Sequence, residues 1–358
     1  MITTLLACMI AFFFAINIGA SGAAASMGIA YGSGAVKHKK TALLICGIGV
    51  FLGAALGGEE VVRTIGSEIV PESIISIHVA LIILSSASIS LFIANLSGIP
   101  LSTSEVTVGA VVGVGIAYQV LFVDTLVIII MYWILIPFVA FLLAYITNKG
   151  IKKITVKYPF LLKGNWSKCL GIVVILTGFL EAFSAGMNNV ANSVGPLVAS
   201  GIITIEQGTV TGGLFVALGA FFLGGKVIET NGKKLTNLNL LQGSAVSGIG
   251  ATLVMIASVF GIPVPHTQVT TCSILGVGAS DKGNDIWKNA IVTKVVKTWV
   301  ISPFFSLVIS YSLVKLFADF NVSRVVVLVL FIAVVYIASL WVPKQSQHMY
   351  KRKMAIKK

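Results

Sequence analysis

Charge is what this sequence lacks most. Only 10% of its 358 residues are Asp, Glu, Lys or Arg, where a soluble domain carries roughly 25%, and only 12 are acidic. An ordinary soluble globular enzyme is excluded on that ground. Paired metal or redox ligands are also missing: Cys8, Cys46, Cys169 and Cys272 stand singly in or beside apolar stretches, so no Cys-x-x-Cys motif is available and they read as small buried hydrophobes. Four widely spaced histidines, His38, His78, His266 and His348, offer no His-x-x-x-His pair. A membrane hydrolase or phosphotransferase needs a nucleophile with its base, or a metal cage, and the chain is therefore expected not to be an enzyme and to hold no metal or other cofactor. A basic n-region is missing as well, so residues 1–18 read as a retained first helix rather than a cleaved signal.

What is there is apolar. Hydrophobic residues make up 57% of the chain, glycine contributes 36 residues and the mean hydropathy is +1.00. Runs at or near the ~20 residues that cross a bilayer core recur at 41–56, 74–96, 125–146 and 325–342. The fold expected is an all-α polytopic membrane protein. Its net charge of +13 does not point to nucleic acid, because 15 of the 25 basic residues lie in three short segments: Lys37 to Lys40, Lys149 to Lys168, and Lys344 onward. Such clusters beside apolar runs mark cytoplasmic segments.

The chain also repeats itself. Gly19, Ala24, Ser26, Gly28, Ser33 and Gly34 recur as Gly186, Ala191, Ser193, Gly195, Ser200 and Gly201, at an offset of 167. A second block, from Gly53 and Ala54 to Gly66, recurs from Gly219 and Ala220 to Gly232 at 166. A third recurs at 163: Gly98, Pro100, Val106, Thr107, Gly113 and Gly115 return as Gly261, Pro263, Val269, Thr270, Gly276 and Gly278. The division that follows is a first transmembrane repeat over 1–147, a lysine-rich cytoplasmic linker over 148–167, a second repeat over 168–317, an extra helix over 318–343 and a basic tail over 344–358. Five spans per repeat is an odd number, so the second copy enters the membrane inverted, as in secondary transporters. About 11 spans result, with the N-terminus outside and the C-terminus cytoplasmic.

Irregular backbone at membrane depth must be buried or line a cavity. The first block, rich in glycine, alanine and serine, is too long for one span, and its second copy contains Pro196; broken helices are expected at both, although small residues also serve close helix packing. Asn188, Asn189, Asn192 and Ser193 then place hydrogen-bonding groups at depth. In the third block, Pro100 precedes Ser102, Thr103 and Ser104, while Pro263 and Pro265 precede His266, Thr267 and Gln268. A proline-led helix start with hydroxyls exposes free N–H groups and the positive end of the helix dipole, which suits an oxyanion. The pattern Ser102-x-x-Glu105 also fits simple capping.

These paired blocks resemble the signature regions of the inorganic phosphate transporter (PiT) family, with its Gly-Ala-Asn-Asp-x-Ala-Asn and Pro-Val-Ser-Thr-Thr-His motifs, over essentially both repeats. The resemblance implies a central anion site formed here by Ser21, Gly22, Asn188, Asn189, Asn192, Ser102, Thr103, Ser104, His266 and Thr267, with Ala25 at the position equivalent to Asn192. The departures carry information. Gly22 and Asn189 replace both family aspartates, and Glu105 and Gln268 replace the motif histidines. An aspartate can accept the proton of phosphate or bind sodium through hard oxygens. Sulfate carries no proton near neutral pH, and asparagine offers it N–H donors instead. The expectation is a sulfate permease of the plasma membrane, of the family's sulfate permease branch. Proton coupling is expected in preference to sodium, with Glu181 and Glu105 as the proton-coupling candidates; the other reading of Glu181 is a structural pair with Lys294 or Lys297. A phosphate symporter and a passive oxyanion channel are the competing readings, and the architecture is compatible with a homodimer.

Overall fold

The structure is a computed structural model that describes residues 1–96, 102–234, 238–283 and 290–318. The expected extra helix at 318–343 and the tail at 344–358 lie outside the described residues, apart from Ala318. Among the described residues every regular element is helical. In chain order they are α1 Ile2–Ile18, α2 Gly28–Gly32, α3 Lys39–Gly57, α4 Glu59–Arg63, α5 Ile77–Leu96, α6 Thr103–Tyr118, α7 Val123–Lys157, α8 Gly164–Ala199, α9 Ile205–Leu223, α10 Gly225–Lys234, α11 Leu240–Val259, α12 His266–Lys282 and α13 Ala290–Ala318.

Six of these stretches are long and apolar enough to cross a membrane: Ile2–Ala23, α3, α7, α8, α9 and α11. Shorter apolar helices cover Ile77–Phe92, Thr103–Tyr118 and Ile301–Phe317. The distribution of side-chain size is that of a membrane protein. On α1 the buried face is Ala7, Ala11, Phe14, Ala15 and Ile18, whereas Leu5, Leu6, Met9 and Phe13 are exposed. On α7, Ala140 and Ala144 face inward while Ile134, Leu135, Phe138 and Leu142 face outward. A water-soluble helix places its bulky apolar groups inside. Here lipid is the outer solvent, so small residues take the inside and let the helices approach.

Four motif glycines mark those approaches. A Cβ on Gly19 would lie 1.9 Å from the Val216 carbonyl oxygen of α9, and one on Gly219 would lie 2.1 Å from that of Ile16 in α1. The crossing of α3 and α8 uses Gly53 and Gly186 in the same way, at 1.9 Å from the Phe183 oxygen and 2.1 Å from the Val50 oxygen. These distances are below van der Waals contact, and only glycine fits. The small-residue packing expected as one reading of the first block is therefore realised at its leading glycines.

The expectation of broken helices holds in one copy only. After α1 the chain passes through a π-helical turn, Gly19–Ala23, breaks at Ser26 and Met27, and resumes as α2. The equivalent stretch in the second copy does not break: α8 runs unbroken for 36 residues through Asn188, Asn192 and Pro196. A proline has no N–H, so it costs the helix one hydrogen bond and crowds the carbonyl four residues back, and α8 is buried almost throughout from Glu181 to Ala199, so its neighbours hold the helix in place. The lysine-rich segment 148–167 is mostly ordered too, because α7 continues to Lys157 and a 3-10 turn, Pro159–Leu162, leads into α8.

The main helix contacts are α8 with α3 and α11, α1 with α9 and α5, α6 with α13, α12 with α7, and α3 with α9. This arrangement carries the middle of α8 past the N-terminal ends of α6 and α12.

Candidate functional site

The buried stretch of α8 faces the start of α6. The alternative reading of that start as simple capping is not realised: Ser102 is the N-cap residue but makes no side-chain cap hydrogen bond. Capping boxes form elsewhere, from Thr204 with Gln207 on α9 and from Asn239 with Gln242 on α11. At α6 the side chains look across to other helices instead. The Asn192 amide donates to Thr103 Oγ1 and to Ser104 Oγ, both at 3.3 Å. Thr103 Oγ1 lies 3.5 Å from Asn189 Oδ1, to which it donates, and Ser104 Oγ donates to the Val264 carbonyl at 3.1 Å. Gly22 completes the group from the first copy, since the nearest atom to a Cβ there is Asn189 Nδ2 at 3.9 Å. Asn189, Asn192, Thr103 and Ser104 are all buried, and Asn192 Oδ1 has no hydrogen-bond partner.

Asn188 has a different role. Its Nδ2 donates to Ser258 Oγ and to the Ile262 carbonyl, both at 3.0 Å, and its Oδ1 accepts from the Val264 N–H at 3.0 Å. Fully engaged in this way, it clamps the turn between α11 and α12. Trp133 of α7 supports the same turn by donating to the Pro263 carbonyl at 2.7 Å. Ser258, Val264 and Trp133 were not among the predicted site residues; nothing in the sequence marks them, because their role is to receive a side chain from a distant helix.

Two carboxyl groups flank the cluster. Glu105, in the first turn of α6, accepts from the Gln268 amide of α12, and its Oε2 has no partner. Glu181 is completely buried on α8 and accepts from Thr270 Oγ1 of α12 at 2.6 Å, while its Oε2 is unpartnered. The side chains of Lys294 and Lys297 lie outside the described residues. His266, the first residue of α12, is buried with neither ring nitrogen hydrogen-bonded. Thr270 and Gln268 were missed as site residues, although both stand in the third repeated block one turn or less from His266.

The remaining predicted residues sit at the edges. Ser21 is half-buried and turns its hydroxyl back to the Asn17 carbonyl at 2.8 Å. Ser102 is buried and Thr267 half-buried, next in sequence to cluster residues but without a side-chain hydrogen bond to them among the described residues. No group of three His, Cys, Asp or Glu residues that could hold a metal ion occurs among the described residues. The site is thus rich in hydroxyl and amide groups, with its carboxyls at the margin.

The model of the phosphate transporter family matches residues 18–310. The chain belongs to the phosphate transporter family. It is similar to the sulfate permease CysP of Bacillus subtilis strain 168, with 54% identity over 333 residues that cover 92% of this chain and 93% of that protein. It is also similar to a solved structure described as the sodium-dependent phosphate transporter, at 27% identity and a TM-score of 0.76, with 87% of this chain and 98% of that one covered. Membership accounts for the apolar exterior and the buried polar centre: this is a membrane-embedded transporter of the phosphate transporter family, not an enzyme.

Proposed function

We propose that the chain is a sulfate permease: a secondary active transporter that imports sulfate across the plasma membrane, driven by protons. The observation that carries this reading is the meeting of Gly22 with Asn189. Both family aspartate positions face each other there, and neither bears a carboxylate. Sulfate near neutral pH has only acceptors to offer, so a carboxylate at this point would meet it with like charge and lone pairs, whereas amide and hydroxyl groups donate. The likeness to a sulfate permease over nearly the whole chain supports the same choice.

In this reading Asn189, Asn192, Thr103 and Ser104 contact the anion, with Ser21, Gly22, Ser102, His266 and Thr267 around them and Asn188 holding the wall. The dipole of α6 adds positive potential at its uncapped end. Importing a dianion against an inside-negative potential costs ~2.3 kcal/mol per charge per 100 mV, which calls for a driving ion. Buried Glu181 and Glu105 are the groups that can carry protons at this depth.

The architecture proposed is two inverted repeats, 1–147 and 168–317, joined by a cytoplasmic linker and followed by an eleventh span, with the N-terminus outside and the C-terminus cytoplasmic. The helix pairing supports it. When α1, α3, α5, α6 and α7 are matched in order to α8, α9, α11, α12 and α13, the packing of α1 on α9 becomes that of α8 on α3, and the packing of α6 on α13 becomes that of α12 on α7.

The test is uptake into vesicles that hold the purified protein, with labelled sulfate competed by unlabelled sulfate, phosphate and thiosulfate under separately imposed proton and sodium gradients. Sulfate uptake that follows the proton gradient is the expected result. Preferential phosphate uptake would overturn the substrate assignment.

A further inference from the structure

Glu105 and Gln268 occupy equivalent positions of the third repeated block, at its offset of 163, and they are bonded to each other, Gln268 Nε2 donating to Glu105 Oε1. Gly22 and Asn189, equivalent at an offset of 167, also meet. Equivalent positions touch only where the axis relating two copies passes between them, so both pairs straddle one axis. For inverted repeats that axis lies in the membrane plane. A group on it sits at mid-depth and is reached equally from either side.

The chemistry of the pair is as specific as its position. Glu and Gln have nearly the same shape. Two carboxylates there would repel and two amides would have no titratable group, whereas one of each gives a bonded pair with a single one. Both side chains are buried, and Glu105 Oε2 lacks a partner, which is costly for a carboxylate oxygen unless a proton or a donor reaches it. Ser104, the preceding residue, belongs to the anion cluster through Asn192. Among the described side chains no charged group acts on the carboxyl: Gln268 and the hydroxyl of Ser302 on α13 are the groups set toward it, while the side chains of Lys294 and Lys297, also on α13, lie outside the described residues. Of the described titratable groups on the surrounding helices, Glu181 of α8 accepts from Thr270 of α12, the ring nitrogens of His266 on α12 have no hydrogen bond, and His78 at the start of α5 is exposed. Glu68, beyond α4, accepts from Thr64.

We infer that Glu105 carries the coupled proton from a position on the axis between the repeats, so that the carboxyl works from either member of the pair. This rests on the proton-driven permease reading above. It goes further by assigning the proton to one group and by making position 268 an interchangeable seat for it.

The experiment compares wild type, Glu105→Gln, and the reciprocal double variant Glu105→Gln with Gln268→Glu, each full-length, purified as a monodisperse sample and placed in vesicles. Two readouts are taken: accumulation of labelled sulfate under an imposed proton gradient, and sulfate exchange with equal sulfate on both sides across a range of pH. The single variant is expected to lose proton-driven accumulation and to retain exchange with a flattened pH profile. The double variant is expected to regain accumulation. Full proton-driven accumulation by Glu105→Gln would overturn the inference, as would failure of the double variant to recover while the single variant still exchanges. Should Glu105→Gln not be recoverable as folded protein, the double variant decides alone: proton-driven accumulation supports interchange, and exchange without accumulation refutes it. A wild type that accumulates no sulfate under a proton gradient would instead defeat the underlying permease reading.

Discussion

Adjacent asparagines on α8 do different work, and substitution separates them. Replacing Asn188 by alanine strips the buried Val264 N–H of its acceptor, an omission that costs about 1–3 kcal/mol. A lower melting temperature in detergent is the expected outcome. Asn189→Ala removes only a long contact with Thr103, so melting should hardly move while the KM for sulfate uptake rises. Glycines divide in the same manner. At Gly19 a Cβ would collide with a carbonyl 1.9 Å away, and Gly19→Ala should abolish stable folding, whereas at Gly22 the nearest atom is 3.9 Å away and Gly22→Ala should be accepted. Gly22→Asp then tests the substrate assignment directly: a carboxylate set against Asn189 should suppress sulfate uptake in vesicles without lowering the melting temperature as Gly19→Ala does.

At the scale of elements, three helices are tied together beyond the apolar span of α7. Asn148 of α7 donates to Asp281 Oδ1 at 2.8 Å, Lys152 pairs with the same carboxylate at 2.7 Å, and the Gln242 amide of α11 reaches both Asn148 and Asp281 at 2.9 and 3.3 Å. Burial works against the Asp281 charge, yet the Lys152 ammonium and the two amides outweigh it and hold its pKa below the ordinary 3.8. A carboxyl depressed by folding adds stability above its unfolded pKa and loses it as pH falls through the lower folded value. The tie is therefore intact at neutral pH and fails only under strong acid. Melting curves recorded from neutral to acid pH should show a drop below about pH 4 that Asp281→Asn removes. Because Lys152 and Asp281 are partly exposed, salt should weaken their pairing.

At the scale of the whole molecule, the orientation proposed for the chain is open to labelling. With the four native cysteines replaced, a cysteine at exposed Lys163 should react with a membrane-impermeant maleimide in inside-out vesicles and not in intact cells. Reaction in intact cells would place the segment between α7 and α8 outside. Much of the molecule could be read in advance, because hydropathy, basic clusters and repeat offsets are written locally along the chain. They determined a membrane-embedded helical protein and its long apolar helices. The unbroken course of α8 through Pro196 could not be read, since propensity speaks of a helix alone and this one is held on all sides. The same holds for the split between Asn188, which clamps the turn before α12, and Asn189, which faces Thr103, for Glu105 turning from its own helix end to Gln268, and for Thr270 reaching Glu181. Each depends on which groups two distant segments bring within a few ångströms. Sequence spacing fixes a side chain's place on its own helix, whereas its partner is chosen by how closely the small residues let the helices pack, and that was decided only by the tertiary structure.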